Sequence, residues 1–255
     1  MEIATWNVNS LRVRLPQLLE WLGANHPDIV ALQETKVLDA AFPAAEIAGA
    51  GYQVVFNGQK TYNGVAILAR TPLSAAVIEI PNFDDQQRRV LAASCAGVRV
   101  VNLYIPNGQA PGSDKYDYKL RWLQALRLWL RAELAQYPRL LVLGDFNIAP
   151  EDRDVHDPAA WAGSVHVSEP ERAALGELLQ IGLRDVFRQF DQPPQSFSWW
   201  DYRAGAFRRN HGLRIDLILA AAELATRCTG CRIDRLARSG ERVSDHAPVI
   251  ASFDI

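Results

Sequence analysis

LLVLGDFNIAP, residues 140–150, runs four apolar residues in a row, Leu140 to Leu143, into a glycine. It then sets down an acid and an amide two positions apart, Asp145 and Asn147. A continuous apolar run of this length, closed by turn residues, reads as a strand buried on both faces, and such a strand belongs inside a layered fold. Side chains two apart on an extended segment point the same way, so Asp145 and Asn147 are expected to face one pocket at the end of that strand.

The same device recurs along the chain. Apolar runs of strand length occupy residues 2–8, 28–33, 53–56, 64–69, 74–80, 90–95, 98–105, 140–144, 214–220 and 247–254, most of them rich in Val, Ile and Leu. Oxygen- or imidazole-bearing side chains sit at their ends: Asn7 in ATWNVNS, Glu34 in DIVALQETK, Tyr104 and Asn107 in VVNLYIPNG, and Asp245 with His246 ahead of the last run in VSDHAPVIASF. Asp and Asn are common cap and turn residues, so each alone means little. Asp216 is sharper, because an acid between Ile215 and Leu217 is costly to bury without a partner. A histidine or a cation would supply one.

Three helical patterns separate the runs. Leu11, Leu15, Leu18, Leu19 and Leu22 form one apolar stripe. Leu123, Leu126, Leu130 and Leu134 form another, with Lys119, Arg121, Arg127 and Arg131 assigned to its wet side. SEPE opens the third, where Ser168 and Glu171 have the spacing of a capping box. About ten strands with few helices imply sheets packed face to face and helices outside, an α+β arrangement. The segments 105–117 and 145–168 have little periodicity, and long loops in a compact domain usually carry function.

The chain has 255 residues, 49% of them apolar, enough for a large core. No linker, composition shift or repeat divides it, so one domain over residues 1–255 is expected. No apolar run approaches the ~20 residues of a membrane helix, and MEIATWNV lacks a signal-peptide pattern, which leads to the expectation of a cytoplasmic protein. A monomer with no obligate protein partner is expected, since no heptad or long apolar stripe is left over. Cys95, Cys228 and Cys231 do not make a disulfide framework, and the C-x-x-C has no second pair for zinc. Net charge is −2, which does not by itself mark a nucleic-acid binder. Locally, however, Lys115–Arg131 carries five Lys/Arg against one Asp, and WWDYRAGAFRRNHGLR, residues 199–214, carries four Arg among four aromatics. Basic groups beside stackable rings suit a phosphate backbone with bases or a sugar nearby. Oxygen ligands without sulfur suit a hard cation such as Mg²⁺ or Mn²⁺, and that cation with a histidine suggests attack of water on a phosphodiester.

WNVNSLR, LQETK, YNGVAI, YIPNG, GDFNIAP, GLRID and SDHAPV occur in one order across the chain. In that order and spacing the sequence resembles the exonuclease III family of abasic-site endonucleases, in the endonuclease/exonuclease/phosphatase superfamily that includes deoxyribonuclease I. The resemblance implies a four-layer α/β/β/α sandwich of two mixed sheets. It implies Glu34 as principal Mg²⁺ ligand, with Asn7 and Asp245 close to the ion directly or through water and Asp145, Asn147 and His246 bordering it; Mn²⁺ is expected to substitute. It implies Asp145 as acid/base, Asn147 as the amide that orients the nucleophile, His246 as partner of the scissile phosphate, Asp216 as the carboxylate fixing that histidine, and Tyr104 and Asn107 as phosphate contacts. Trp199, Leu213 and Ile215 fall where the family lines a pocket for a base-less sugar, and Arg208 and Arg209 fall in a loop that enters the minor groove. The expected partner is double-stranded DNA with abasic sites or blocked 3′ ends.

His166, in AGSVHVSEPER, lies near that pocket. An imidazole there would crowd an unbroken strand yet accept a 3′ end, which predicts a bias to 3′-phosphatase and 3′-to-5′ exonuclease activity over internal abasic incision. A solvent-exposed loop histidine without effect is the competing reading. Two other functions compete: a phosphodiesterase of the same superfamily on a non-DNA substrate, and a catalytically silent nucleic-acid-binding relative. The complete set of candidate catalytic residues argues against the second.

Overall fold

The computed structural model describes residues 1–255. Twelve strands form two six-stranded sheets. In chain order they are β1 (Glu2–Asn7), β2 (Ile29–Gln33), β3 (Gln53–Asn57), β4 (Val65–Ala69), β5 (Leu73–Val77), β6 (Val90–Cys95), β7 (Val98–Tyr104), β8 (Leu140–Asp145), β9 (Leu183–Asp185), β10 (Asp216–Ala221), β11 (Cys228–Ile233) and β12 (Val249–Phe253). The first sheet runs β11-β12-β1-β2-β4-β3 and the second β5-β6-β7-β8-β10-β9. Each sheet is mixed, with one parallel pair, β1–β2 and β7–β8. The longer helices are α1 (Leu11–Asn25), α2 (Ala44–Gly49), α3 (Asp114–Gln136) and, after the four-residue α4 (Pro158–Trp161), α5 (Glu169–Gln180); α6 (Ala206–Arg209) and α7 (Ala222–Ala225) are single turns.

Alternation along each strand builds the layers. Ile3, Ile29, Ala31, Val100, Leu141, Leu143 and Ile218 fill the space between the sheets. The opposite sides of the same strands face helices: Ala4, Trp6, Val30 and Leu32 pack with Leu18 and Leu22 of α1, while Val101, Val142, Leu217 and Leu219 pack with Leu126 and Leu130 of α3 and Leu178 of α5. This is the expected α/β/β/α order. No helix is long and apolar enough to cross a membrane.

Two strands escaped the sequence reading. β9 has three residues, Leu-Arg-Asp, too short to show a period. β11, CTGCRI, lies outside the apolar runs because it carries few aliphatic residues, yet it pairs with β12 from Cys228 onward, with an irregularity at Gly230. The run 214–220 begins as a strand only at Asp216. The predicted capping box at Ser168 and Glu171 is present.

Candidate active site

Three residues that face the space between the sheets end their strands as polar groups: Asn7 on β1, Tyr104 on β7 and Asp145 on β8. Asp216 opens β10 directly opposite Asp145. Glu34 follows β2, and His246 precedes β12. Two sheets therefore deliver their polar ends to one edge. Gly144 makes this approach possible. Its φ is +146°, and a Cβ there would collide with the Leu103 carbonyl of β7. The glycine that stopped the apolar run is what lets β7 and β8 bring Tyr104 and Asp145 side by side.

Asp145 is the centre. Its Oδ2 accepts from Asn7 Nδ2 at 2.9 Å and lies 3.8 Å from His246 Nε2, and its Oδ1 accepts from the Asn147 N–H at 2.9 Å. Burial pushes its carboxyl up to about 7, while the adjacent imidazole pulls the other way. His246 Nδ1 sits 2.9 Å and 3.1 Å from the two oxygens of Asp216, whose Oδ2 also accepts from Ser198 Oγ at 2.6 Å. Burial alone would lower the pKa of His246, but Asp216 and then Asp145 outweigh it and raise it to about 10. The buried acid foreseen at Asp216 has thus found a histidine. The Tyr104 phenol is held well above its ordinary pKa by burial and by Glu34, so it remains an O–H donor.

Glu34 adopts φ +50°, a left-handed backbone that a glutamate rarely takes, and such strain is characteristic of functional positions. Its Oε1 accepts from Asn7 Nδ2 at 2.9 Å and its Oε2 meets Lys36 at 2.7 Å. Glu34, Asp145 and His246 offer ligand atoms within 4.8 Å of one another. Carboxylates from two sheets converging on one point fit a hard divalent cation. Nδ1 of His246 is engaged by Asp216, so Nε2 is the only ring nitrogen it can offer beside the two carboxylates.

Several sequence expectations need correction. Asn147 is not placed beside Asp145 by strand alternation. Its φ is +51°, so a turn folds it back, with its N–H on Asp145 and its Nδ2 on the Ile105 carbonyl at 3.0 Å. Asn7 lies between Glu34 and Asp145, but its NH₂ faces them while its Oδ1 accepts from the Asn9 N–H at 3.0 Å; it ties the two carboxylates together and presents them no ligand oxygen. Asp245 stands outside the ligand group, its oxygens taken by Asn9 Nδ2 at 2.9 Å and Trp199 Nε1 at 3.0 Å. Leu213 and Ile215 are 0% and 2% exposed, packed with Ala149, Val155 and Val167 beneath Trp161 and Trp199, so this wall is closed to solvent. The basic patches shrink as well. Arg214 is buried between Asp154 and Asp185, at 2.6 Å and 2.8 Å, and the exposed Arg203 is paired with Asp201, which leaves Arg208 and Arg209 as the exposed arginines of that loop without an acidic partner.

His166 is not a surface residue. It is 7% exposed, beneath the exposed Asn107. Its Nδ1 lies 2.7 Å from the Asn147 carbonyl and so carries the proton, leaving Nε2 to accept from Asn107 Nδ2 at 3.3 Å. Asn107 Nδ2 also reaches Asn147 Oδ1 at 3.3 Å. Burial, with Lys119 nearby, lowers the imidazole pKa to about 4, so the ring is neutral.

Lys119 itself is the largest miss. Assigned to the wet side of α3, it is 0% exposed. Its three N–H donors reach the Asn107 carbonyl at 3.2 Å, the Asn147 carbonyl at 2.7 Å and Glu171 Oε1 at 2.5 Å. Glu171 in turn accepts from the His166 N–H at 3.1 Å. One buried ion pair therefore holds both long loops against the site. Ser198 was also missed; one serine among the aromatics of SFSWW gives no local signal.

The model of the endonuclease/exonuclease/phosphatase family matches residues 4–246. The exodeoxyribonuclease III of Haemophilus influenzae is 35% identical over 99% of this chain and 100% of that protein, and an exodeoxyribonuclease of Bacillus subtilis is 32% identical over 98% of each. Among solved structures, a 3′ phosphatase from Neisseria bound to product DNA hairpin superposes with a TM-score of 0.98 at 46% identity, over the whole of both chains. An AP endonuclease from Archaeoglobus fulgidus superposes at 0.96 with 40% identity, again over both chains in full. With its two sheets, its converging carboxylates and its Asp216–His246 pair, the chain belongs to the endonuclease/exonuclease/phosphatase family, among the exodeoxyribonuclease III-like nucleases.

Proposed function

We propose that the chain is a Mg²⁺-dependent phosphodiesterase of DNA repair that acts on duplex DNA, removing 3′ phosphates and nucleotides from 3′ ends in preference to incising internal abasic sites, with Mn²⁺ able to replace Mg²⁺. The observation that carries the reading is the meeting of Glu34 and Asp145 with the Asp216–His246 pair on one edge of two sheets. When bound, the cation would be held by the Glu34 and Asp145 carboxylates and would offset charge on phosphate oxygens.

The chain's own groups supply the rest. A phosphodiester is anionic and repels an incoming hydroxide. His246, held as imidazolium by Asp216, turns Nε2–H toward the cleft as a fixed positive charge for a phosphate oxygen. The Asp145 carboxyl, between Asn7 and His246, is the group placed to take a proton from the attacking water or return it to the leaving oxygen. Tyr104 donates its phenol proton to the phosphate, Asn147 orients the nucleophile, and Asn107 contacts an adjacent phosphate. Trp199 meets the sugar above the closed wall of Leu213 and Ile215, and Arg208 and Arg209 reach the minor groove.

The bias toward 3′ ends rests on His166. Its ring is fixed between Asn107 and Asn147, and the apolar wall beyond it is closed, which disfavours a flipped-out sugar on an unbroken strand. The test uses two labelled duplexes, one nicked with a 3′-phosphate and one with an internal abasic analogue, each with Mg²⁺ and with EDTA. The expected result is metal-dependent phosphate release from the first and slow incision of the second, with His166→Gly raising incision. Unchanged incision in that variant overturns the role of His166, and silence on both duplexes overturns the phosphodiesterase reading.

A further inference from the structure

We propose that Gln33 and Asn102 are positioning residues, forming a polar clamp between the two sheets that sets the spacing of Glu34 from Asp145 and Tyr104. The proposal rests on the reading that Glu34 and Asp145 hold a divalent cation.

Thr5, Gln33 and Asn102 lie between the apolar core and the site. Each is 0% exposed. On β1 and β7 the inward-facing residues run Ile3–Thr5–Asn7 and Val100–Asn102–Tyr104, so Thr5 and Asn102 stand one inward position, about 7 Å, below the site. Gln33 is next to Glu34. Amides buried this deeply are costly unless bonded. Asn102 is bonded at every polar position: its Oδ1 accepts from Gln33 Nε2 at 2.7 Å, and its Nδ2 donates to the carbonyls of Leu32 at 2.9 Å and Ala66 at 2.8 Å. All three partners belong to the first sheet, whereas Asn102 belongs to the second. Gln33 Nε2 also reaches Thr5 Oγ1 at 2.9 Å and the Ala31 carbonyl at 3.1 Å. Gln33 keeps its amide turned to Asn102 although its own Oε1 has no partner.

Packing alone would not fix this spacing. Apolar contact is non-directional, and facing sheets joined only by aliphatic side chains can slide. At the edge above, Glu34 and Asp145 repel each other as carboxylates, joined only through the Asn7 amide. Three directional bonds just beneath resist both sliding and opening. They also act on the right strands. β7 pairs with β8 so that Asn102 is opposite Leu143 and Tyr104 opposite Asp145, and the Leu32 carbonyl is two residues from Glu34.

The test is the double variant Gln33→Met, Asn102→Leu, which makes both side chains apolar at similar volume: removal of the Gln33–Asn102 bond itself is close to neutral, while the Leu32 and Ala66 carbonyls each lose a donor. Mn²⁺ binding is read by the electron paramagnetic resonance of the free ion, independently of turnover, beside a melting curve and kcat/KM on the nicked 3′-phosphate duplex. Expected are a single cooperative melting transition at a somewhat lower temperature than the wild type, an Mn²⁺ dissociation constant raised about tenfold or more, as for supporting residues around metal ligands, and partial recovery of kcat/KM as Mg²⁺ is raised. Gln33→Met alone keeps the two Asn102–carbonyl bonds and is expected to show a smaller rise; it carries the test if the double variant does not fold. Mn²⁺ affinity within twofold of wild type in either folded variant overturns the clamp alone. A wild-type chain that binds no Mn²⁺ overturns the cation reading and the clamp's role together.

Discussion

Replacing Asp216 with asparagine separates charge from geometry at the centre of the proposed mechanism. Oδ2 of Asp216 is the atom nearer His246 Nδ1, at 2.9 Å, and it also accepts from Ser198 Oγ at 2.6 Å. An amide oxygen in its place keeps both bonds, so Asp216→Asn removes the negative charge and little else. The loss can be sized. The imidazole, ordinarily near 6.5, is raised to about 10 by Asp216 and Asp145 against the opposing effect of burial. At roughly 1.4 kcal/mol per pKa unit, this is a preference for imidazolium of roughly 5 kcal/mol. Asp216 lies at 2.9 Å and Asp145 at 3.8 Å, so Asp216 supplies at least half, roughly 2–3 kcal/mol. That loss lowers the imidazole by roughly 2 pH units, so the variant stays charged at pH 7 but is mostly neutral near pH 9, where kcat/KM is expected to fall roughly tenfold. The assay is phosphate release from a nicked 3′-phosphate duplex at pH 7 and pH 9 in saturating Mg²⁺, with a melting curve and an NMR titration of His246. A rate at pH 9 within threefold of the wild type, with the His246 pKa lowered as expected, would refute the reasoning, because the imidazolium would then be absent without consequence.

Three further outcomes are expected. Lys119→Met leaves Glu171 buried without its partner, which costs about 3–5 kcal/mol and lowers the melting temperature by roughly 6–20 °C in calorimetry; a drop under 3 °C counts against the buried ion pair. Gly144→Ala puts a methyl group into the Leu103 carbonyl, so β7 and β8 must part, and kcat/KM is expected to fall at least 10²-fold, about 2.7 kcal/mol; near-wild-type kinetics would show that the strands need not approach so closely. In EDTA, stability of the wild type relative to Asp145→Asn is expected to decline as pH rises. The folded carboxyl titrates near 7 and the unfolded one near an ordinary ~4, so the folded state holds the extra proton. The advantage is complete below pH ~4, is lost through pH 7 and is flat above it. Paired denaturant titrations at pH 5 and pH 8 check the sign.

The fold and the polar ends of its strands were legible because strand alternation is a local rule. An apolar run that ends in Asn7, Tyr104 or Asp145 states its own geometry, and a sheet interior offers an acid such as Asp216 no route to solvent. Its neighbours Ile215 and Leu217 therefore required a partner before any partner was known. The same rule failed for Asn147, where the strand had already ended and a left-handed turn took over.

The buried cations were illegible for the opposite reason. Lys119 and Arg214 sit among other basic residues, and helical or strand period assigns a residue to a face without saying what later covers that face. What covers them arrives from far along the chain: Glu171 is 52 residues from Lys119, and Asp154 is 60 from Arg214. Both partners lie in or just after the segment 145–168, whose lack of periodicity marked it as a loop and concealed that it closes over the site. The pairs are thus the means by which an irregular segment is held in one conformation. A loop without ladder hydrogen bonds needs side-chain or charge contacts to fix it. Lys119 meets that need by donating to the Asn107 and Asn147 carbonyls, the two loop positions between which the His166 ring is seated. A substitution that spares every residue at the phosphate but frees these carbonyls is therefore expected to change the choice of substrate before it changes the chemistry.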